Sequence, residues 1–369
     1  MSVNSIWKSA IGIAALSVAV GAQAGSNGVK VSVEAEKAAL GASDDVVVKV
    51  TMTNTSSTPQ YVLKARTPFE GLSAPLFDIT RDGVKVPYTG ALIKRGKATQ
   101  ADYYLLKPGA SHTVKVELSA LYDMSVSGDY AIQYRTASPD LFLDNGNGRA
   151  TAAAAGAHAN GVGELQSEAA RLYIDGRLPR GANSPIMEAL KQGGGGTVTA
   201  QGLSYASCTA SQQTTIASAI SAAKTMSNGS VTYMANTTMG PRYTKWFGAI
   251  NSSRQATVKS HYTNIKSAFD TQNVVVDCSC KQSYYAYVYP TQPYRIYVCN
   301  AFWSAPMTGT DSKGGTLVHE MSHFNVVAGT DDHVYGQSGA ASLAISNPAQ
   351  AIDNADSHEY FAENTPFLN

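Results

Sequence analysis

Along residues 29–136, apolar side chains fall on every second position: Val29, Val31 and Val33, then Val46, Val48 and Val50, then Val114, Val116 and Leu118. A strand turns successive side chains to opposite faces, so this alternation predicts half-buried β-strands. Turn signals at Asp82-Gly83, Pro108-Gly109 and Ser127-Gly128 punctuate them. Several such strands in about 110 residues predict a sandwich-like all-β module.

The period changes downstream. Val258, Tyr262, Ile265 and Phe269 recur at helical spacing, and Ile216, Ile220 and Ala223 suggest an earlier amphipathic helix. Tyr285, Tyr287 and Tyr289 alternate ahead of Pro290, and Ile296 and Val298 follow the Thr291-Gln292-Pro293 break. That stretch predicts a hairpin, with the tyrosines packing on a sheet. Residues 205–369 therefore mix helix and strand, an α+β pattern.

Two stretches carry neither period. Residues 137–204 contain Asp144-Asn145-Gly146-Asn147-Gly148, the alanines Ala152 to Ala155, the segment Arg177 to Arg180 and the glycines Gly193 to Gly196. Such composition reads as a linker open to proteolysis, and the Asp144 stretch, lacking the distal Glu of a calcium loop, reads as a turn. At the start of the chain, Lys8 precedes an apolar run from Ala10 to Val20, followed by Ala22-Gln23-Ala24. The run falls well short of the roughly 20 residues that span a bilayer, so it reads as a secretory signal cleaved after Ala24. The expected units are a signal peptide (1–24), a β module (25–136), a linker and processing region (137–204) and an α+β domain (205–369).

Composition narrows the partners. Lys plus Arg number 28 against 27 for Asp plus Glu, a net charge of +1 with no basic block. That balance argues against a nucleic-acid partner. No later segment is long and apolar enough to span a membrane, so a product free of membrane and outside the cytoplasm is expected, passing through a periplasm if the source is Gram-negative. In that oxidising setting the four cysteines read as two disulfides. Cys278 and Cys280 flank one residue and point the same way in an extended segment, so each needs a distant partner. The favoured scheme pairs Cys208 with Cys278 and Cys280 with Cys299. A four-thiolate zinc knuckle is the rival, and no pair has its two-to-four-residue gap.

The chemistry concentrates in Leu317-Val318-His319-Glu320-Met321-Ser322-His323-Phe324. On a helix, His319 and His323 share one face a turn apart, so both imidazoles reach one Zn²⁺ while Glu320 sits beside the open coordination position. A catalytic zinc keeps three protein ligands. The metzincin third position, six residues after the second histidine, is Gly329. A distant thermolysin-type glutamate is available in Glu359 or Glu363. Nearer candidates lie in Gly329-Thr330-Asp331-Asp332-His333-Val334-Tyr335-Gly336, where Asp331, Asp332 and His333 remain alternatives.

HExxH followed by GTxDxxYG resembles the aspzincins, the deuterolysin and peptidyl-Lys metalloendopeptidase family. The likeness runs from about Cys208 to the C terminus. It includes Arg242-Tyr243-Thr244, Trp246-Phe247-Gly248, the four cysteines, Ala301-Phe302-Trp303, Thr308-Gly309-Thr310-Asp311 and Glu359-Tyr360-Phe361-Ala362-Glu363-Asn364. It implies an α+β zincin-like catalytic domain holding one zinc, with His319, His323 and Asp332 as ligands, Glu320 as general base and Tyr335 as transition-state donor. The family's disulfide pairing is compatible with the scheme above. Asn354-Ala355-Asp356-Ser357-His358-Glu359-Tyr360 resembles the segment lining the S1′ pocket of the peptidyl-Lys branch. There Asp356 and Glu359 would present paired negative charge to a lysine ammonium, against the plainer reading of a helix-capping Asp beside a solvated Glu.

The expected function is that of a secreted bacterial zinc endopeptidase, made as a preproenzyme and cutting proteins or peptides before Lys. The N-terminal module would be a propeptide, acting as inhibitor or folding aid. It has no cysteine to block zinc, so inhibition would come from occlusion of the cleft or another donor. Maturation is expected between about Leu178 and Ser207, with Lys191 available for self-cleavage. A secreted adhesion or carbohydrate-binding protein with a structural zincin-like half, and a zinc amidase acting on cell-wall peptides, are the alternatives. His112, His158 and His261 have no motif partners and read as surface or hydrogen-bonded histidines.

Overall fold

The computed structural model describes residues 26–41, 44–143, 163–176, 197–198 and 202–369. The leader, the Asp144 turn, the Ala152–Ala155 run, His158, Lys191 and most of the expected maturation region lie outside them. Among the described residues, no helix is long and apolar enough to cross a membrane.

The N-terminal region is built of sheets. Val29–Ala35, Val47–Asn54 and Ser111–Glu117 form an antiparallel three-stranded sheet with Val47–Asn54 in the middle. Strict alternation of apolar residues puts Val48, Val50 and Met52 inward, all fully buried. A second sheet centres on the long strand Gly128–Ser138, paired along one side with Phe77–Arg81. Asp82 and Gly83, at φ 50° and 82°, turn that strand into Val84–Lys85. The two sheets share one core, in which Val29, Val48 and Val50 join Tyr130, Ile132 and Ile174.

One expectation for this region is corrected. Within the stretch assigned to a linker from 137 to 204, the strands Gly163–Gln166 and Ala170–Ile174 both pair with Gly128–Ser138. Leu165, Leu172 and Ile174 are buried in the N-terminal core. Each strand is too short, and too close to glycine- and alanine-rich sequence, for its alternation to stand out.

The C-terminal region is α+β. Its helices are α1 (Ala210–Met234), α2 (Pro241–Phe247), α3 (Ser252–Thr271), α4 (Asn300–Ser304), α5 (Lys313–His323), α6 (Gly336–Ser346), α7 (Pro348–Ala351) and α8 (Ala355–Glu363). Thr209 caps α1 by accepting from the Gln212 amide, and Asn251 caps α3 by accepting from Arg254. Their stripes bury Ile216, Ile220 and Ala223 on α1 and Val258, Tyr262, Ile265 and Phe269 on α3. These two helices and α8 enclose α5, all eleven residues of which are buried.

The helices lie against a mixed sheet in which Leu203–Ala206, Val274–Asp277 and Arg295–Val298 run parallel. Ala286–Val288 returns antiparallel to Arg295–Val298, giving the hairpin expected from the tyrosine alternation. Tyr287 stacks on Tyr297 with ring centroids 4.6 Å apart. Disulfides Cys208–Cys278 and Cys280–Cys299 tie the ends of these strands to their neighbours. The sheet's last strand comes from the other half of the molecule: Leu92–Lys94 pairs antiparallel with Ala286–Val288.

Candidate active site

Helix α5 starts where Ser312 accepts from the Gly315 amide, while Glu363 accepts from the Ser312 amide and hydroxyl at 2.8 Å each. Gly315 lets these groups approach, since a Cβ there would lie 2.1 Å from Glu363 Oε1. At the other end, Gly329 takes φ 62° and sends the chain back along the helix. His323 Nδ1 donates to the Thr330 carbonyl at 2.7 Å. A carbonyl only accepts, so the proton is on Nδ1 and the Nε2 lone pair is free for a metal.

Asp332 follows in this returning segment. Asn354 Oδ1 pins the segment by accepting from the His333 and Val334 amides at 3.0 and 3.1 Å. Asp332 Oδ1 lies 3.1 Å from His319 Nε2 and 3.5 Å from His323 Nε2. Of the three alternatives left open by the sequence, only Asp332 meets both histidines. Asp331 and His333 gather instead with Asp353, whose Oδ2 is 2.9 Å from His333 Nε2. Glu363 is taken up by the start of α5, and Glu359 Oε2 meets His319 only at Nδ1, at 3.3 Å, while lying 2.6 Å from Lys94 Nζ.

A test of fit for a metal comes from unpaired atoms. Nε2 of both histidines, both Asp332 oxygens and both Glu320 oxygens are buried without a hydrogen-bond partner. Each such atom costs about 1–3 kcal/mol when nothing satisfies it. A cation held by the two imidazoles and the Asp332 carboxylate removes most of that cost, and nitrogen and oxygen donors in this number suit a catalytic zinc. Burial opposes charge on Asp332, but the His323 and His319 imidazoles outweigh it and hold its carboxyl well below the ordinary range. Burial pushes Glu320 up to about 7, which suits a group that takes and returns a proton near neutrality.

Beside the histidines lies an acidic pocket with a lysine in it. Asp356 and Glu359 project from the first turns of α8 toward α5, both fully buried. Lys94 Nζ lies 2.6 Å from Glu359 Oε2, 3.4 Å from Asp356 Oδ1 and 3.6 Å from Asp311 Oδ1, and its side chain is 1% exposed. Burial opposes its charge, but Asp356, Glu359 and Asp311 more than compensate and raise its pKa well above that of an ordinary lysine. Burial holds Glu359 above the usual carboxylate range, whereas on Asp356 burial is outweighed by Lys94 and His319.

The Tyr335 hydroxyl donates to the Ile93 carbonyl at 2.7 Å, and Arg95 Nη1 approaches the same hydroxyl at 3.4 Å. Arg66, also from the N-terminal region, donates to the backbone carbonyls of Asp332 and His333 at 2.5 and 2.8 Å. Between the two halves, a cavity of about 640 Å³ is lined by Arg66, Tyr88 and Leu92 on one side and His323, Asp332 and His333 on the other.

Sequence reasoning missed Lys94, Arg95, Arg66 and the pocket role of Asp311, since nothing in Ala91-Leu92-Ile93-Lys94-Arg95 marks a site. Of the unassigned histidines, His261 bonds His358 at 3.0 Å and His112 bonds the Tyr104 hydroxyl at 2.9 Å.

Residues 232–363 match the family model described as lysine-specific metallo-endopeptidase, the aspzincins. An extracellular protease of Aeromonas hydrophila is 44% identical over 330 residues, covering 89% of this chain and 91% of that protein. Peptidyl-Lys metalloendopeptidase of Armillaria mellea is 37% identical over 335 residues, 88% of each. That of Grifola frondosa is 34% identical over 369 residues, 97% of this chain and 99% of its own. Among solved structures, a zinc peptidase from Grifola frondosa is 48% identical and covers 44% of this chain and 100% of its own, with a TM-score of 0.43.

Proposed function

This chain belongs to the aspzincin family and is a zinc metalloendopeptidase, and we propose that it is secreted as a preproenzyme and cuts peptide bonds on the N-terminal side of lysine. The observation that carries the site assignment is the convergence of unpaired, buried donor atoms from His319, His323 and Asp332 next to the unpaired Glu320 carboxylate. These three residues would hold the zinc. When bound, zinc supplies the Lewis acid that polarises the scissile carbonyl and makes water a nucleophile near neutral pH.

The chain's own groups do the rest. Glu320, buried beside the metal ligands, takes the proton of the attacking water and returns it to the departing amine. Tyr335 presents its hydroxyl to the carbonyl oxygen, as it does to the Ile93 carbonyl, and stabilises the charge that develops there. Asp356 and Glu359, with Asp311, receive the ammonium of the residue after the cut. The seating of Lys94 among them supports that role.

Secretion is supported by the leader-like first 24 residues and by the name of the Aeromonas hydrophila relative. The N-terminal sheets serve as a propeptide, a role supported by Leu92–Lys94 and Arg66 lying across the site. The test uses peptides of one sequence differing only in Lys, Arg or Leu after the scissile bond, each with chelator and with zinc restored. Cleavage of the Lys peptide alone, lost with chelator and recovered with zinc, supports the reading; equal cleavage of all three removes the lysine specificity.

A further inference from the structure

The Leu92–Lys94 strand lies in the cleft as a peptide substrate must. It adds antiparallel to the free edge of the catalytic sheet, with Leu92, Ile93 and Lys94 opposite Val288, Tyr287 and Ala286. The Tyr285 amide continues the ladder by donating to the Lys94 carbonyl at 3.1 Å. Edge pairing fixes an extended peptide through its backbone and leaves side-chain pockets to select the sequence. Here the selecting pocket is the Asp356, Glu359 and Asp311 carboxylates around Lys94 Nζ, and the carbonyl one residue before that lysine is the one bonded by Tyr335. Backbone register, side-chain pocket and carbonyl donor all place the Ile93–Lys94 peptide where a bond cut before lysine would lie.

We infer that Ile93-Lys94 is a built-in substrate mimic, through which the N-terminal region holds the enzyme latent by filling the lysine pocket and the sheet edge together. The inference rests on the lysine-specific reading of the site and adds the element that closes it. Its anchors lie on both sides of the strand. Arg95 spans the Ser73 and Ile93 carbonyls at 3.2 and 3.3 Å, and Arg66 bonds the carbonyl of the ligand Asp332. Tethered at both ends, the strand competes with free peptide at an effective concentration on the order of millimolar. The same geometry gives substrates a direction: they bind antiparallel to Ala286–Val288, with the lysine opposite Ala286.

The test compares intact, zinc-loaded wild type with Lys94→Ala and Lys94→Met, each verified uncut by mass spectrometry, on a peptide with one Xaa–Lys bond. The intact variants are expected to cleave at least about tenfold faster than intact wild type, while the processed forms of all three cleave alike. Intact variants as silent as wild type, alongside an active processed form, overturn the inference. If neither variant folds, a synthetic peptide of residues 88–98 is added to processed wild type. It is expected to compete with substrate, its Lys94→Ala version is not, and equal competition by both overturns the inference. A processed enzyme without lysine preference would instead sink the specificity reading, and the two failures are separately visible.

Discussion

His319 Nδ1 lies 2.9 Å from Oδ1 of Asp356, the same oxygen that Lys94 Nζ approaches at 3.4 Å. One carboxylate therefore faces both the imidazole proposed to bind zinc and the lysine in the acidic pocket. Carboxylates behind metal-bound histidines fix the ring and raise its basicity. Asp356→Asn is expected to lower zinc affinity about 10–100-fold, read by competition with a chromogenic chelator. Asp311→Asn, which touches Lys94 and the Tyr360 hydroxyl but neither histidine, should leave zinc affinity unchanged and reduce preference for lysine. Equal zinc affinity in wild type and Asp356→Asn would separate Asp356 from the metal.

Glu320 carries the proton in this account but holds no metal. Glu320→Gln should keep a full equivalent of zinc by elemental analysis and lose about 10²–10⁴-fold in turnover. Loss of zinc together with activity would make Glu320 a ligand instead of a base.

Buried charge also predicts a pH response away from the zinc. His358 Nδ1 donates to the Asn354 carbonyl at 3.0 Å, so its Nε2 accepts from His261 at 3.0 Å. Burial, reinforced by the facing His261, pulls the His358 pKa down to about 3. Below about pH 6.5 the unfolded chain takes up a proton that the folded chain refuses, so stability falls as pH drops from about 6.5 toward 3. In urea titrations of the metal-free chain, wild type should lose about 2 kcal/mol more than His358→Gln between pH 7 and pH 5. Identical pH slopes would show that His358 takes up a proton as readily in the fold as in the unfolded chain.

The start of α5 predicts a packing cost. A Cβ at Gly315 meets Glu363 Oε1, and that carboxylate has little freedom to swing because it holds the Ser312 amide and hydroxyl and the Asp311 amide. Gly315→Ala should destabilise the chain by about 1–3 kcal/mol by chemical denaturation, and an unchanged midpoint would mean that Glu363 moves freely.

What the sequence discloses follows the range over which each feature is determined. The α1 and α3 stripes and the Val47–Asn54 alternation are local periodicities, and burial follows them residue by residue. His319, Glu320 and His323 are legible because one helical turn makes sequence spacing equal to spatial spacing. The choice among Asp331, Asp332 and His333 is not, since it depends on the Gly329 turn and on Asn354, more than 20 residues away, and only the family resemblance singled out Asp332. Lys94 is farther still from its partners, 262 residues from Asp356. No local pattern separates a lysine that fills a pocket from one that faces water. Gly163–Gln166 and Ala170–Ile174 were missed for another reason, because strands of four and five residues carry too few alternations.

Zinc-dependent cleavage before lysine is read out by mass spectrometry of every new N terminus in an unbiased protein digest. With processed enzyme, the new termini should begin with lysine and disappear when a zinc chelator is present. Chelator-sensitive termini with no lysine preference would contradict the acidic pocket, and termini that persist with chelator would contradict the zinc site itself.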